Sequence, residues 1–232
     1  MTAPGTSLMM STEGTVFKTD RQITQYLLCH GCEQKFSKNG EDYFADVAMP
    51  SAEQTTPPLL FRILRVTLIP SWNRMGAPRF SFGSGLYPEV NSHAVYYYAI
   101  SLFWRAGLDG WHGYTKLEHK AGLMELMQKF LLGGDYVPGH VVRILPSFWR
   151  QKHGFVLPYR RKDMPFFSMY MYDFYLEECS RFPRFGSSLL NAPILYTADS
   201  FESVATHAEM IAAIKAGRRT KALQAVDKLI SW

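Results

Sequence analysis

Two cysteines three positions apart constrain this chain more than any other feature. They lie in Tyr26–Phe44, YLLCHGCEQKFSKNGEDYF, where His30 and Gly31 separate Cys29 from Cys32. Gly31 permits a tight backbone turn between them, so both sulfurs can point at one ion. The residues after Cys32 (Glu33, Gln34, Lys35, then Phe36) suit the first turns of a helix. A thiolate pair on a knuckle that runs into a helix is half of a tetrahedral zinc site at a usual ligand spacing. The same spacing also suits a redox dithiol or two buried thiols. Phe36, Tyr43, Phe44 and Val47 recur at roughly helical spacing, which packs this segment against the body of the protein. Asn39-Gly40 is a turn signal and divides the segment into two short helices.

Composition sets the class. The 232 residues suffice for one sizeable domain or a domain with a small appendage. A hydrophobic fraction of 47% and an aromatic fraction of 15% can bury a core and exclude a disordered tail. The net charge of +5 and isoelectric point near 9.0 favour acidic partners, nucleic acid first among them. Three cysteines do not make a disulfide framework, so a reducing cytoplasm is expected. The opening MTAPGTSLMMSTEG lacks the basic start and apolar segment of a signal peptide. The longest apolar runs, near Ala94–Trp104 and Met164–Leu176, are too short and interrupted to span a membrane.

Residues 1–22 read as a flexible lead-in with a short strand around Thr15–Lys18, residues 23–48 as the half knuckle and its helix, and residues 49–232 as a single body. Pro50 and Pro57-Pro58 punctuate the chain before the apolar run Leu59–Ile69, where Arg62 and Arg65 share a helix face. Pro70–Pro88 is loop-like. Its FGSG at Phe82–Gly85 lacks the endings and spacings of phosphate-binding loops. Asn91 or Ser92 caps a helix predicted to run to about Leu108, with a core stripe of Tyr97, Ile100, Trp104 and Leu108. Within it, Arg105 is placed to pair with Asp109 a turn later. Glu118–Leu132 is a further helical pattern, closed by Gly133-Gly134.

After Pro138 the period changes. Val141–Leu145, Gly154–Pro158 and Phe166–Phe174 read as strands. Their connections carry Arg150, Lys152, Arg160, Arg161 and Lys162 among Phe148, Trp149, Tyr159 and Phe166. With Lys35 and Lys38 of the knuckle helix, these are the candidate nucleic-acid contacts, a basic platform interleaved with aromatics. The plainer alternative has the aromatics filling the core while the cations cap strand ends in solvent. Cys179 stands alone, and Phe201–Trp232 reads as two helices broken near Gly217. The fold class expected is α+β. Its N-terminal two-thirds are mainly helical, a small antiparallel sheet fills the C-terminal third, and helices end the chain.

The words LCHGCEQKFSKNGEDYF at Leu28–Phe44 resemble the second metal knuckle of a group of bacterial HNH-endonuclease-like proteins, in which an LLC-x-x-CE-x-x-F-S motif leads into a helix. A later helix of that group often carries an aromatic-Trp-Arg run, which Phe103-Trp104-Arg105 matches. The resemblance implies that Cys29 and Cys32 hold zinc as a structural pair. The family pattern also has a front half, with another CxxC and a strand bearing the nuclease histidine. This sequence departs from it there, because no residue before Cys29 is Cys or His. No catalytic residue is therefore carried over, and HNH-type endonuclease activity would require the front half to be restored.

A structural zinc wants four protein ligands, and metal-assisted phosphodiester hydrolysis needs an activated water and a cation on the phosphate. Either the missing half is encoded upstream of Met1, or the protein is a remnant that lost nuclease chemistry, or the thiols are simply buried. The expected function is an HNH-like, nucleic-acid-associated protein with an incomplete zinc knuckle, a DNA partner and no nuclease activity as it stands. The alternative is a metal-free module that binds another protein. A thiol redox enzyme using Cys29 and Cys32 ranks last, for want of a thioredoxin-like βαβ pattern around them.

Overall fold

The protein is described by a computed structural model over residues 8–12, 15–19, 28–49, 56–64, 80–111, 114–147, 154–179, 192–198, 208 and 212. Its strands are β1 (Leu8–Thr12), β2 (Thr15–Thr19), β3 (Phe80–Gly83), β4 (His140–Pro146), β5 (Gly154–Arg161), β6 (Met164–Met169), β7 (Tyr172–Glu178) and β8 (Ile194–Ala198). They form one eight-stranded sheet in the order β2-β1-β5-β6-β7-β4-β8-β3. The expected small antiparallel sheet of the C-terminal third is thereby corrected. β1, β2 and β3 bring the N-terminal part of the chain into the sheet, and two pairings, β1 with β5 and β4 with β8, are parallel. The chain outside the sheet is not simply helical up to Pro138 either, since part of the Pro70–Pro88 loop is β3 followed by a short 3₁₀ turn at Ser84–Leu86. The C-terminal helices expected over Phe201–Trp232 lie outside the described residues, except for Ala208 and Ala212, which are helical.

Strand periodicity sorts the side chains onto two faces. On one face Val142, Ile144, Phe167, Tyr172, Phe174, Leu176, Ile194 and Tyr196 join the main core. The alternate positions form a second buried layer around Leu145, Val156, Met164, Phe166 and Tyr175. That layer is partly ionic. Arg143 and Glu177 are fully buried and paired, and the Arg143 guanidinium lies 4.5 Å from the centre of the Tyr175 ring, its neighbour across β4–β7. The expected strand Phe166–Phe174 is two strands. It folds back at Tyr170 (φ 55°) and Met171, so Met169 faces Tyr172.

The helices cover the first face. The knuckle segment is α1 (His30–Phe36), a π turn at Ser37–Glu41 and α2 (Asp42–Ala48), without the break expected at Asn39-Gly40. A third helix, α3, includes residues 59–64. α4 (Ser92–Ala106) packs against both the knuckle segment and the sheet and is buried along most of its length. The predicted cap is present: Asn91 Oδ1 accepts from the Ala94 amide at 3.1 Å, satisfying a first-turn donor. α5 (Leu123–Leu131) starts later than the sequence pattern suggested and stops where expected. Gly133 takes φ 109°, a left-handed conformation that glycine adopts without steric cost, and its amide caps Phe130 O at 2.9 Å. Among the described residues no helix is long and apolar enough to cross a membrane.

Aromatic rings lock the layers together. Phe44 of α2 stacks on Tyr98 of α4 with centroids 3.9 Å apart and meets Tyr172 and Phe174 of the sheet edge-on. Tyr172 Oη then donates to Ala48 O, the last residue of α2, at 2.9 Å. Each pair of this kind adds roughly 0.5–1.5 kcal/mol beyond the area it buries. The segment bearing the cysteines is therefore seated on α4 and β7 through its C-terminal half.

Candidate metal centre

Cys29 precedes α1 as its N-cap, and Cys32 lies one turn on. The Cys32 and Glu33 amides both donate to Cys29 O, at 3.0 and 3.1 Å, closing the knuckle's turn. This turn brings the two sulfurs to 3.3 Å from each other. Cys29 is exposed and Cys32 half-buried, and Gly31 between them has no neighbouring atom within 4 Å of where a Cβ would stand. The Cys29 thiol is held below its ordinary range, first by the Cys32 backbone amide and then by the Cys32 side chain. Cys32 is pushed the other way, first by its bond to the Cys29 sulfur and then by burial.

The pair fits half of a zinc tetrahedron. Two thiolates at about 2.3 Å from zinc in tetrahedral geometry stand roughly 3.8 Å apart, so a small outward rotation of one side chain from 3.3 Å admits the ion. Among the described residues no group of three or more His, Cys, Asp or Glu side chains is placed to hold a metal. His30, inside the knuckle, turns its Nε2 to Gln34 Nε2 at 2.9 Å instead. Cys179 sits at the end of β7, where its amide donates to Gly139 O at 2.8 Å. Among the described residues Cys29 and Cys32 stand as a pair of sulfurs without a third such ligand beside them.

What holds the half-site in place was only partly visible beforehand. Phe36, one turn beyond Cys32, is buried with its ring edge-on to Tyr97 and to Trp104, each at 6.0 Å. Arg105 lies over the same ring, 5.5 Å from its centre, and pairs with Glu41 at the end of the π turn. Arg105 therefore does not take Asp109 as partner; Asp109 bonds Lys116 at 2.9 Å. Gly40 packs directly on α4, where a Cβ would come 2.7 Å from Tyr98 N and 3.1 Å from Ala94 O. Glycine is the one residue that lets the two backbones approach this closely.

Among the described residues, the candidate nucleic-acid contacts differ in exposure and in what holds them. Lys35 turns its Nζ to Leu132 O at 2.8 Å, tying α1 to the end of α5, while Lys38 is exposed on the π turn. Arg160 is exposed but its guanidinium is anchored to Glu118 O at 2.9 Å and Asp163 O at 2.7 Å. Lys162 is exposed in the β5–β6 turn. Arg161 is corrected outright: it is buried in the second layer, bonds Tyr175 Oη at 2.6 Å and lies 5.9 Å from the Phe166 ring centre. Strand alternation sends it to the face opposite Arg160. Arg150 and Lys152 lie outside the described residues.

Comparison with known proteins adds no relative. No family model matches the chain, and neither a curated protein nor a solved structure matches it.

Proposed function

We propose that this chain is an HNH-like, nucleic-acid-associated protein in which Cys29 and Cys32 supply half of a structural zinc site. The observation that carries the reading is the pair of convergent sulfurs, 3.3 Å apart and open to solvent, on a helix anchored to the body. A second feature supports it. The two stretches that carry the family resemblance, the knuckle and Phe103-Trp104-Arg105, pack on each other through Phe36–Trp104 and Glu41–Arg105. The remaining two donors come from outside the described residues or from another chain. Bound zinc would supply a covalent-strength tie between those donors and the start of α1, and its binding would expel the thiol protons. No nuclease step is assigned to the described residues.

The metal half of the reading is tested by metal analysis of the purified protein and by Cys29→Ser and Cys32→Ser. Zinc at a stoichiometric level that either substitution removes supports it. Zinc-free protein with both cysteines freely alkylated leaves the metal-free interaction module in its place. The nucleic-acid half is tested by duplex binding at several salt concentrations. Lys38→Ala and Lys162→Ala are expected each to weaken binding and to lower the salt slope by about one unit if both touch phosphates.

A further inference from the structure

We infer that Cys29 and Cys32, when no metal holds them, form a dithiol that exchanges with small disulfides, Cys29 attacking and Cys32 resolving. This inference goes beyond the zinc reading and does not depend on it. Its basis is placement. The sulfurs are already 3.3 Å apart, and a disulfide bond of about 2.05 Å needs an approach of little more than 1 Å. The Cys32 amide bonds Cys29 O at 3.0 Å, a turn that keeps the two Cα atoms within about 7 Å, the bridging limit. The closure takes place at the surface, since Cys29 is exposed and Cys32 only half-buried.

Access assigns the two roles. Cys29 is exposed and meets an incoming molecule first, while Cys32 is half-buried and within reach of the Cys29 sulfur. The anchoring of α1 through Phe36, Gly40 and Arg105–Glu41 keeps this geometry fixed to the body while the sulfurs stay at the surface. Cys179 is exposed too, on another element, and serves as the internal comparison.

The exchange balances in two steps. The Cys29 thiolate attacks one sulfur of a small disulfide R–S–S–R, a Cys29–S–S–R bond forms, and RS⁻ leaves and takes up the Cys29 proton. Cys32 then gives up its proton and attacks the Cys29 sulfur, expelling a second RS⁻ that takes that proton. Two cysteines are oxidised to one disulfide and the small disulfide is reduced to two thiols. A sulfur in a disulfide is no longer a thiolate ligand, so metal and disulfide exclude one another.

The test incubates the full-length chain, as purified and after chelator treatment, with oxidised glutathione, followed by intact mass and peptide mapping. The chelator-treated protein is expected to lose two hydrogens and show Cys29 linked to Cys32. Cys32→Ser is expected to stop at one glutathione on Cys29. Cys29→Ser is expected to give no internal disulfide and to slow adduct formation at the knuckle about tenfold, because the remaining sulfur is half-buried. Cys179→Ser should change neither result. The inference is overturned if Cys179 takes glutathione while Cys29 and Cys32 stay reduced, or if Cys32 forms the first adduct. Metal content, read on the same samples, reports on the zinc reading separately.

Discussion

Arg105 of α4 and Glu41 of the π turn, 64 residues apart in sequence, form an ion pair beside the ring of Phe36. The side chains are 19% and 32% exposed, so the pair is neither a freely solvated contact nor a dry one. Exposed pairs contribute up to about 1 kcal/mol and buried ones cost about 3–5 kcal/mol when broken. A double-mutant cycle with Arg105→Met and Glu41→Gln, followed by urea denaturation, should give a coupling of about 1 kcal/mol. Arg105→Met alone should also weaken metal retention at Cys29 and Cys32 if zinc is bound, because it loosens the helix that carries them.

Two glycines nine residues apart in the same segment, Gly31 and Gly40, should respond oppositely to alanine. Gly40→Ala places a methyl 2.7 Å from the Tyr98 amide nitrogen, backbone that cannot step aside cheaply. It should destabilise the protein by about 1–3 kcal/mol, the usual cost of overpacking. Gly31→Ala meets open space within a helical turn and should be neutral or stabilising by up to about 1 kcal/mol. Thermal or urea unfolding of the two variants checks the contrast.

The Arg143–Glu177 pair offers a sharper contrast. Both side chains are fully shielded from solvent. Arg143→Ala or Glu177→Ala leaves one buried charge without its counterpart and should cost about 3–5 kcal/mol. Arg143→Met with Glu177→Leu removes both charges at similar volume and should cost far less. If the double variant is as unstable as either single one, packing rather than charge governs the second layer of the sheet.

His119 should give the fold an acid sensitivity. Its Nε2 bonds Phe103 O at 3.0 Å, and burial lowers its pKa below the ordinary value of 6.5. Below about 6.5 the unfolded chain takes up this proton before the folded one does. The stability His119 contributes is thus fully present above that pH and is lost as pH falls below it. His119→Gln should flatten the decline in unfolding free energy between neutral pH and about pH 5, measured by denaturant titration at each pH.

The parts of this molecule that the sequence made legible are those fixed by neighbours along the chain. Asn91 caps α4 by bonding an amide three residues on, and Gly133 ends α5 by its own backbone freedom. The knuckle belongs here also, since four consecutive residues suffice to bring its sulfurs together. Long-range pairings were not legible. β8 is buried between β4 and β3, in one parallel and one antiparallel ladder, and nothing local in Ile194–Ala198 announces either. The turn after Met169 was hidden because Tyr170 takes a positive φ without a glycine or asparagine to mark it. Arg105 shows the same limit at the site. A helix-spacing rule offers Asp109, whereas the carboxylate it meets arrives from another helix.

The π turn has a geometric consequence for where the sulfurs look. Phe36, Gly40 and Phe44 recur every four residues, and on an ordinary helix of 3.6 residues per turn such a series drifts about 40° per step. The wider winding at Ser37–Glu41 absorbs that drift, so all three stay aimed at one neighbour. Removing a single residue between Cys32 and Phe36, where the winding is ordinary, would swing the cysteine end about 100° around the axis. The π turn keeps Phe36, Gly40 and Phe44 on one bearing, and the count of residues from Cys32 to Phe36 then decides which way the two sulfurs look.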